Sequence, residues 1–270
     1  MEPFDLCPCL DALFPGAPVE RVLPQLAGRG FRCVEFWDWR PRDVAALARA
    51  AEEAGVRVHA FSGNTFAEPL VDPEAHDHTL AHLRRALAVA PPLGARLLVV
   101  HSGYLVAGRS RSEQWTAAVR GLRAAGDLAG AAGITLVVEP LNSRIDHPGY
   151  FLDTLPEALR LLAAVAHPAV RLLLDVYHMR VMHEDLLERL PEALAVTAHV
   201  HVADVPGRGE PGSGQIAWPA VLEALRAGGY QGAIGLECWP TGTAEAALRR
   251  SAQILAPHAA RRLVGWSTTP

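Results

Sequence analysis

Lysine is missing from this 270-residue chain, so the 25 basic residues are all arginine. Schiff-base chemistry by a lysine of the chain is thereby excluded, as is the lysine of a phosphate-binding loop. Cysteine is scarce: Cys7, Cys9, Cys33 and Cys238 follow no zinc-ribbon or CxxC spacing and are expected as reduced, buried thiols. No window approaches the roughly 18 uninterrupted apolar residues of a membrane span. Met1 to Leu10 has no basic region followed by a long apolar run. Large excess charge is absent too. A net charge of -4 gives nucleic acid or an anionic membrane no electrostatic hold. The expectation is a cytoplasmic protein with a small-molecule partner.

What is present is a repeated grammar. Hydrophobic residues make up 50% of the chain and charged residues 20%, which permits a sizeable core. Short apolar runs alternate with segments of helical period, and the runs end in acids or histidines. Leu136-Val137-Val138-Glu139-Pro140-Leu141-Asn142 is the clearest of them, followed by Leu172-Leu173-Leu174-Asp175, Val200-His201-Val202-Ala203-Asp204 and Ile234-Gly235-Leu236-Glu237. The remaining strands are read at Phe4–Cys7, Cys33–Trp37, Val56–Phe61 and Leu97–His101. Helices are read between them, among them one beginning at Asp72-Pro73 and stopped by Pro91, Pro92 and Gly94, and one capped by Ser112. Eight strand–helix units without a linker predict an α/β fold, a single-domain (β/α)8 TIM barrel over residues 1–256. Such barrels need about 250 residues. Residues 257–270 are read as a C-terminal tail. Exposed barrel helices also offer surfaces for a homo-oligomer.

Active sites of such barrels lie at the carboxyl ends of the strands. Those ends are Glu35, Asn64, His101, Glu139, Asp175, His201 and Glu237. Glu139, Asp175, His201 and Glu237 stand on four successive strands. Three carboxylates and one imidazole form an oxygen-rich donor set suited to Mg or Mn, with Co or Zn as substitutes. His178, His101 and Asn64 are candidates for substrate contact, and Arg208 for holding a substrate carboxylate or other oxygens. Gly207-Arg208-Gly209-Glu210-Pro211-Gly212 matches GxGxxG literally, but it follows the seventh strand and carries a proline, so as a dinucleotide fingerprint it is weak. His76, His78 and His82 are read as exposed helix histidines. Trp37, Trp39, Trp218 and Trp239 are placed to wall a pocket or to pack.

Glu139-Pro140-Leu141-Asn142, Asp175-Val176-Tyr177-His178-Met179, His199 to Asp204, Arg208-Gly209-Glu210-Pro211-Gly212-Ser213-Gly214 and Gly235-Leu236-Glu237 together resemble the hydroxypyruvate isomerase family, within the xylose-isomerase-like TIM-barrel superfamily. The resemblance covers nearly the whole chain. It implies a metal on Glu139, Asp175, His201 and Glu237, proton transfer by Glu139 and Glu237, and substrate binding by His178 and Arg208. The implied reaction is an aldose–ketose isomerisation through an enediolate, hydroxypyruvate giving tartronate semialdehyde. Two departures stand out. Hydroxypyruvate isomerases often carry glutamine at the position of His201, where sugar epimerases of the superfamily carry histidine. The segment Ser143-Arg144-Ile145-Asp146 is one residue longer than the family pattern. The alternatives are therefore a ketose 3-epimerase or other sugar isomerase, then an inosose-type dehydratase, an abasic-site endonuclease, or a barrel that binds a metabolite without turnover.

Overall fold

Fully apolar tetrads such as Leu97–Val100 have no polar face to turn to water, so they are stable only when covered on both sides. The computed structural model, which describes residues 4–256, supplies both covers. Its strands are β1 Leu6–Pro8, β2 Cys33–Phe36, β3 Arg57–Ser62, β4 Leu97–Val100, β5 Thr135–Val138, β6 Val170–Asp175, β7 Thr197–Val202 and β8 Ile234–Leu236. Neighbours in sequence pair in parallel, β8 pairs with β1, and a bridge between Cys9 and Glu35 joins β1 to β2 and closes the ring. The fold is a single-domain (β/α)8 barrel. The expected tail lies outside the described residues.

The helices are α1 Leu10–Leu13, α2 Val19–Gly28, α3 Val44–Ala54, α4 His76–Leu93, α5 Arg111–Ala131, α6 Leu155–Val165, α7 Val176–Val181, α8 Leu186–Leu194, α9 Trp218–Ala227 and α10 Ala244–Leu255. Side chains of a strand alternate between its two faces. Leu136, Val138, Leu172, Leu174, Val200, Val202 and Leu236 join the large layer packed under the helices. Val137, Leu173, Leu97, Val99 and Ala60 form a separate small cluster inside the barrel. The inward set contains Val137 and Leu173, so two residues further along β5 and β6 it reaches Glu139 and Asp175. Strand period thus carries the acids into the barrel mouth.

Several sequence expectations shift. The helix expected from Asp72-Pro73 starts at His76 and runs through Pro91 and Pro92 to Leu93, where Gly94 closes it at φ 70°. Both prolines are exposed and lie in the last turn of the helix. The cap of α5 is Ser110 rather than Ser112, in a reciprocal capping box with Glu113. His76 and His82 are buried, contrary to the exposed reading, and only His78 projects outward. His82 Nδ1 lies 2.7 Å from Glu68 Oε1, and its ring packs 5.9 Å from Trp39. The four cysteines are free and buried as expected. Among the described residues no helix is long and apolar enough to cross a membrane.

Candidate functional site

Each strand-end group is aimed by its own local structure. Asp175 ends β6 and caps α7: its Oδ1 accepts the Tyr177 N–H at 2.7 Å and the His178 N–H at 3.2 Å. That cap fixes the carboxylate and leaves Oδ2 facing the barrel mouth. His201 is the register partner of Asp175 on one side and of Gly235 on the other. Its Nδ1 lies 3.6 Å from Glu139 Oε1 and 3.5 Å from Glu237 Oε2. Glu237 is pinned from two sides. The Trp37 indole donates to its Oε1 at 2.5 Å, and the Arg208 guanidinium donates to its Oε2. Arg208 stands 3.8 Å from Asp175 Oδ2, with its guanidinium over the rings of Tyr177 and Trp239. Ligand atoms of Glu139, Asp175, His178 and Glu237 all lie within 4.8 Å of one another.

The donor set fits a divalent cation. Glu139 Oε1, Asp175 Oδ2 and His201 Nδ1 are buried with no hydrogen-bond partner among the described residues. Burying such groups unpaired is costly, and a cation among the acids would offset it. By distance His178 groups with the three acids, whereas His201 groups with Glu35 and His199 and turns only Nδ1 toward Glu139 and Glu237. His178 differs. Its Nδ1 faces two donors, the Asn142 backbone N–H at 3.1 Å and the Asn142 side-chain amide at 2.7 Å. The other Asn142 amide hydrogen goes to Asp146 Oδ2 at 2.6 Å. With Nδ1 accepting, the ring proton sits on Nε2, which points into the site as a donor.

Electrostatics follow from burial and neighbours. Burial raises Glu139, against the pull of His201 and with help from Glu237, to about 7. Burial would also raise Glu237, but Arg208 and His201 outweigh it and hold the carboxyl well below its usual range. His201 is held well above the usual imidazole value, since Glu35 and Glu237 overcome the opposing effect of burial. Burial and Arg208 keep His178 neutral, well below the imidazole norm. Two glutamates at one site thus have opposite proton affinities.

The structure brings Glu139, Asp175, His201, Glu237, His178 and Arg208 to one place. His101 joins them: it lines the same cavity as Glu35, Trp37, Glu139, His201 and Glu237, and Phe66 rests 4.6 Å above its ring. Asn64 is engaged elsewhere. Its amide donates to the Glu68 and His101 carbonyls and accepts the His101 N–H, so it braces the turn beneath His101. Of the tryptophans, Trp37 and Trp239 meet edge to face at the mouth, while Trp218 is buried and bonded to Asp204. Sequence reasoning passed over Trp37 as a partner of Glu237. It also left out His199, which lies two residues before His201 and so on the same strand face, a period-2 signal that was legible.

Comparison with known proteins agrees with this architecture. Residues 23–258 match the family described as xylose isomerase-like TIM barrel. A Homo sapiens protein named as a presumed hydroxypyruvate isomerase is 33% identical over 260 residues, covering 90% of this chain and 92% of that protein. A 2-oxo-tetronate isomerase of Cupriavidus necator is 31% identical over 233 residues, covering 82% and 87%. Among solved structures, one described as an AP endonuclease, family 2, from Brucella melitensis superposes with a TM-score of 0.83 at 28% identity, covering 91% of this chain and 96% of that one. From the matched length, the closed eight-stranded ring and the run of relatives, the chain belongs to the xylose isomerase-like TIM-barrel family, among its hydroxypyruvate isomerase relatives.

Proposed function

We propose that the protein moves a proton between carbons beside a carbonyl of a small sugar or sugar acid, as a metal-dependent isomerase or epimerase. The observation that carries this reading is the approach of two glutamates, Glu139 at 3.6 Å and Glu237 at 3.5 Å, to the same His201 nitrogen. Glu139, Asp175, His201 and Glu237 would hold a divalent ion, with Mg or Mn the best match to three carboxylates and an imidazole, and Co or Zn as substitutes. Such an ion supplies positive charge that acidifies a hydrogen next to a carbonyl and offsets the charge of an enediolate.

The chain's own groups do the rest. One of Glu139 and Glu237 takes the proton from the carbon next to the carbonyl and passes it to water. The other, protonated from water, returns one to the neighbouring carbon in an isomerase or to the opposite face of the same carbon in an epimerase. Trp37 and Arg208 keep the Glu237 carboxylate from turning away. The Nε2–H of His178 is placed to donate to a substrate oxygen, and Arg208 adds a buried positive charge for a carboxylate or hydroxyl.

Hydroxypyruvate, giving tartronate semialdehyde, is one substrate in this class. Support is broader for a sugar isomerase or epimerase than for that acid alone. The Cupriavidus relative is named for a 2-oxo-tetronate, and histidine at position 201 is the epimerase habit within the superfamily. A nuclease reading finds no support in a net charge of -4.

The test is deuterium exchange followed by NMR. Protein stripped of metal and resupplied with Mg or Mn is incubated in D₂O with hydroxypyruvate, with a four-carbon 2-oxo acid, and with C4–C6 ketoses. Metal-dependent deuterium entry at the carbon next to the carbonyl is expected for at least one of them, and chelation should stop it. Exchange with the acids alone identifies an acid isomerase, and inversion of a ketose without chain isomerisation identifies an epimerase. No exchange with any substrate would sink the reading and leave a dehydratase or a metabolite-binding barrel.

A pH dependence follows. Glu139 at about 7 and His201 above its ordinary value both carry protons near neutrality. An incoming cation must displace them. Apparent metal affinity should therefore rise as pH rises from 6 to 8, with net proton release. Calorimetric titration at pH 7 in buffers of different ionisation heat measures it; heats independent of the buffer would contradict it.

A further inference from the structure

We propose that Glu35 is a positioning residue for His201: its Oε1, unpaired and 3.3 Å from the equally unpaired Nε2, takes the Nε2–H when the site is loaded and so keeps Nδ1 toward the space shared by Glu139 and Glu237. The inference rests on the reading of His201 as a metal ligand.

Glu35 is the penultimate residue of β2, which β1 and β8 separate from β7 around the ring, yet its carboxylate reaches His201. Three features make this reach. The pairing of β2 with β3 shifts register between Val34 and Glu35, an irregularity that re-aims the side chain. Gly235 on β8 stands between the two: a Cβ there would collide with Glu35 Oε1 and with the His201 ring. Cys9 on the β1 side pairs with Glu35 and is small. The space thus cleared holds one carboxylate between two imidazoles. Glu35 Oε2 is hydrogen-bonded to His199 Nε2 at 2.8 Å, while Oε1 faces His201 Nε2 at 3.3 Å with neither atom paired among the described residues.

The carboxylate is 3% exposed. A charge so buried is retained against a large desolvation cost, and only specific partners offset it. His199 occupies its second oxygen, so the carboxylate cannot rotate away from His201. Histidine ligands of metals characteristically donate their other N–H to such a carboxylate, which fixes the tautomer and the ring plane.

Glu35, His199 and His201 also meet the distance requirement for a cation of their own. The 2.8 Å contact between Glu35 and His199 is a hydrogen bond already made, and His201 turns its Nε2 to Glu35 while Nδ1 faces the acids. The geometry therefore points to support for one ion rather than a second ion.

Titration of metal-free protein with Mn²⁺, read by the EPR signal of free Mn²⁺, tests this directly. The parent should bind one ion per chain. Glu35→Gln should keep that stoichiometry and weaken affinity about 10–100-fold, and His201→Ala should weaken it as well. Unchanged affinity in Glu35→Gln with loss in His201→Ala overturns the positioning role and leaves the metal site standing. Unchanged affinity in both overturns the metal-site reading with it. Two ions in the parent and one in Glu35→Gln would make Glu35 a ligand of a second ion and also overturn the proposal. Should the variants fail to fold, ¹⁵N-histidine NMR of the Mg²⁺-loaded parent decides. His201 should carry its proton on Nε2; a proton on Nδ1 overturns the proposal.

Discussion

Glu139→Gln should lower turnover by ~10²–10⁴-fold, the range of a positioned acid–base group, while a weakened metal site persists. Glutamine keeps the shape and one metal-facing oxygen but cannot accept a proton. Glu139 suits this role because its carboxylate is buried at the end of β5 beside Glu237 and His201, with Oε1 free of any hydrogen-bond partner among the described residues. Glu237→Gln should fall as far, for a further reason: it leaves the buried Arg208 without its closest carboxylate. Single-turnover deuterium incorporation at saturating Mn²⁺, compared with Mn²⁺ affinity, separates the chemical effect from loss of metal. A near-normal rate in Glu139→Gln would overturn its assignment as the proton carrier.

Asp204→Ala should destabilise the protein by about 2–4 kcal/mol and loosen substrate binding without touching the metal ligands. Asp204 follows β7 and is fully buried. Its carboxylate accepts the backbone N–H groups of Val205, Gly212 and Ile216, and the indole N–H of Trp218, all at 2.9–3.0 Å. These bonds gather the loop that presents Arg208. The loop packs so closely that a Cβ at Gly214 would run into the Val205 carbonyl and Asp204 itself. Alanine at 204 leaves several donors without an acceptor, each costing roughly 1–3 kcal/mol where water cannot reach, with partial compensation by relaxation. Asp204→Asn should lose less, because one accepting oxygen remains. Denaturant midpoints measure the stability and KM reports the loop. A midpoint shift worth less than about 0.5 kcal/mol, the range of ordinary surface substitutions, would show that the loop is held by something else.

Asp204 and Asp175 show where a strand-end acid can be read and where it cannot. Both follow apolar runs of similar character. Asp175 keeps Oδ2 toward the barrel mouth, because only its Oδ1 is used to cap α7. Both oxygens of Asp204 are consumed by its own loop. Strand period separates them in part: Asp175 has the parity of inward-facing Leu173, and Asp204, two residues past the end of β7, has that of Val200 and Val202 under the helices. The bonds each then makes depend on where the following chain returns. Asn64 is a similar case: a polar residue at a strand end whose amide is taken up by the backbone around His101.

The sequence by itself determined the alternation of eight apolar runs with eight helical segments, and hence the closed parallel barrel. It also determined which acids and histidines stand at the carboxyl ends of β5 to β8. These are local properties: strand period and helix period are written in neighbouring residues. Tertiary structure alone decided which oxygen of each acid faces the mouth, that Trp37 and Arg208 pin Glu237, and that Asn142 sets the proton of His178 on Nε2. It alone decided that Glu35 crosses above Gly235 to reach His201. Those contacts join residues as distant as Trp37 and Glu237. They depend on ring closure and on strand register, which place side chains to within a hydrogen bond's length and leave no periodic trace in the sequence.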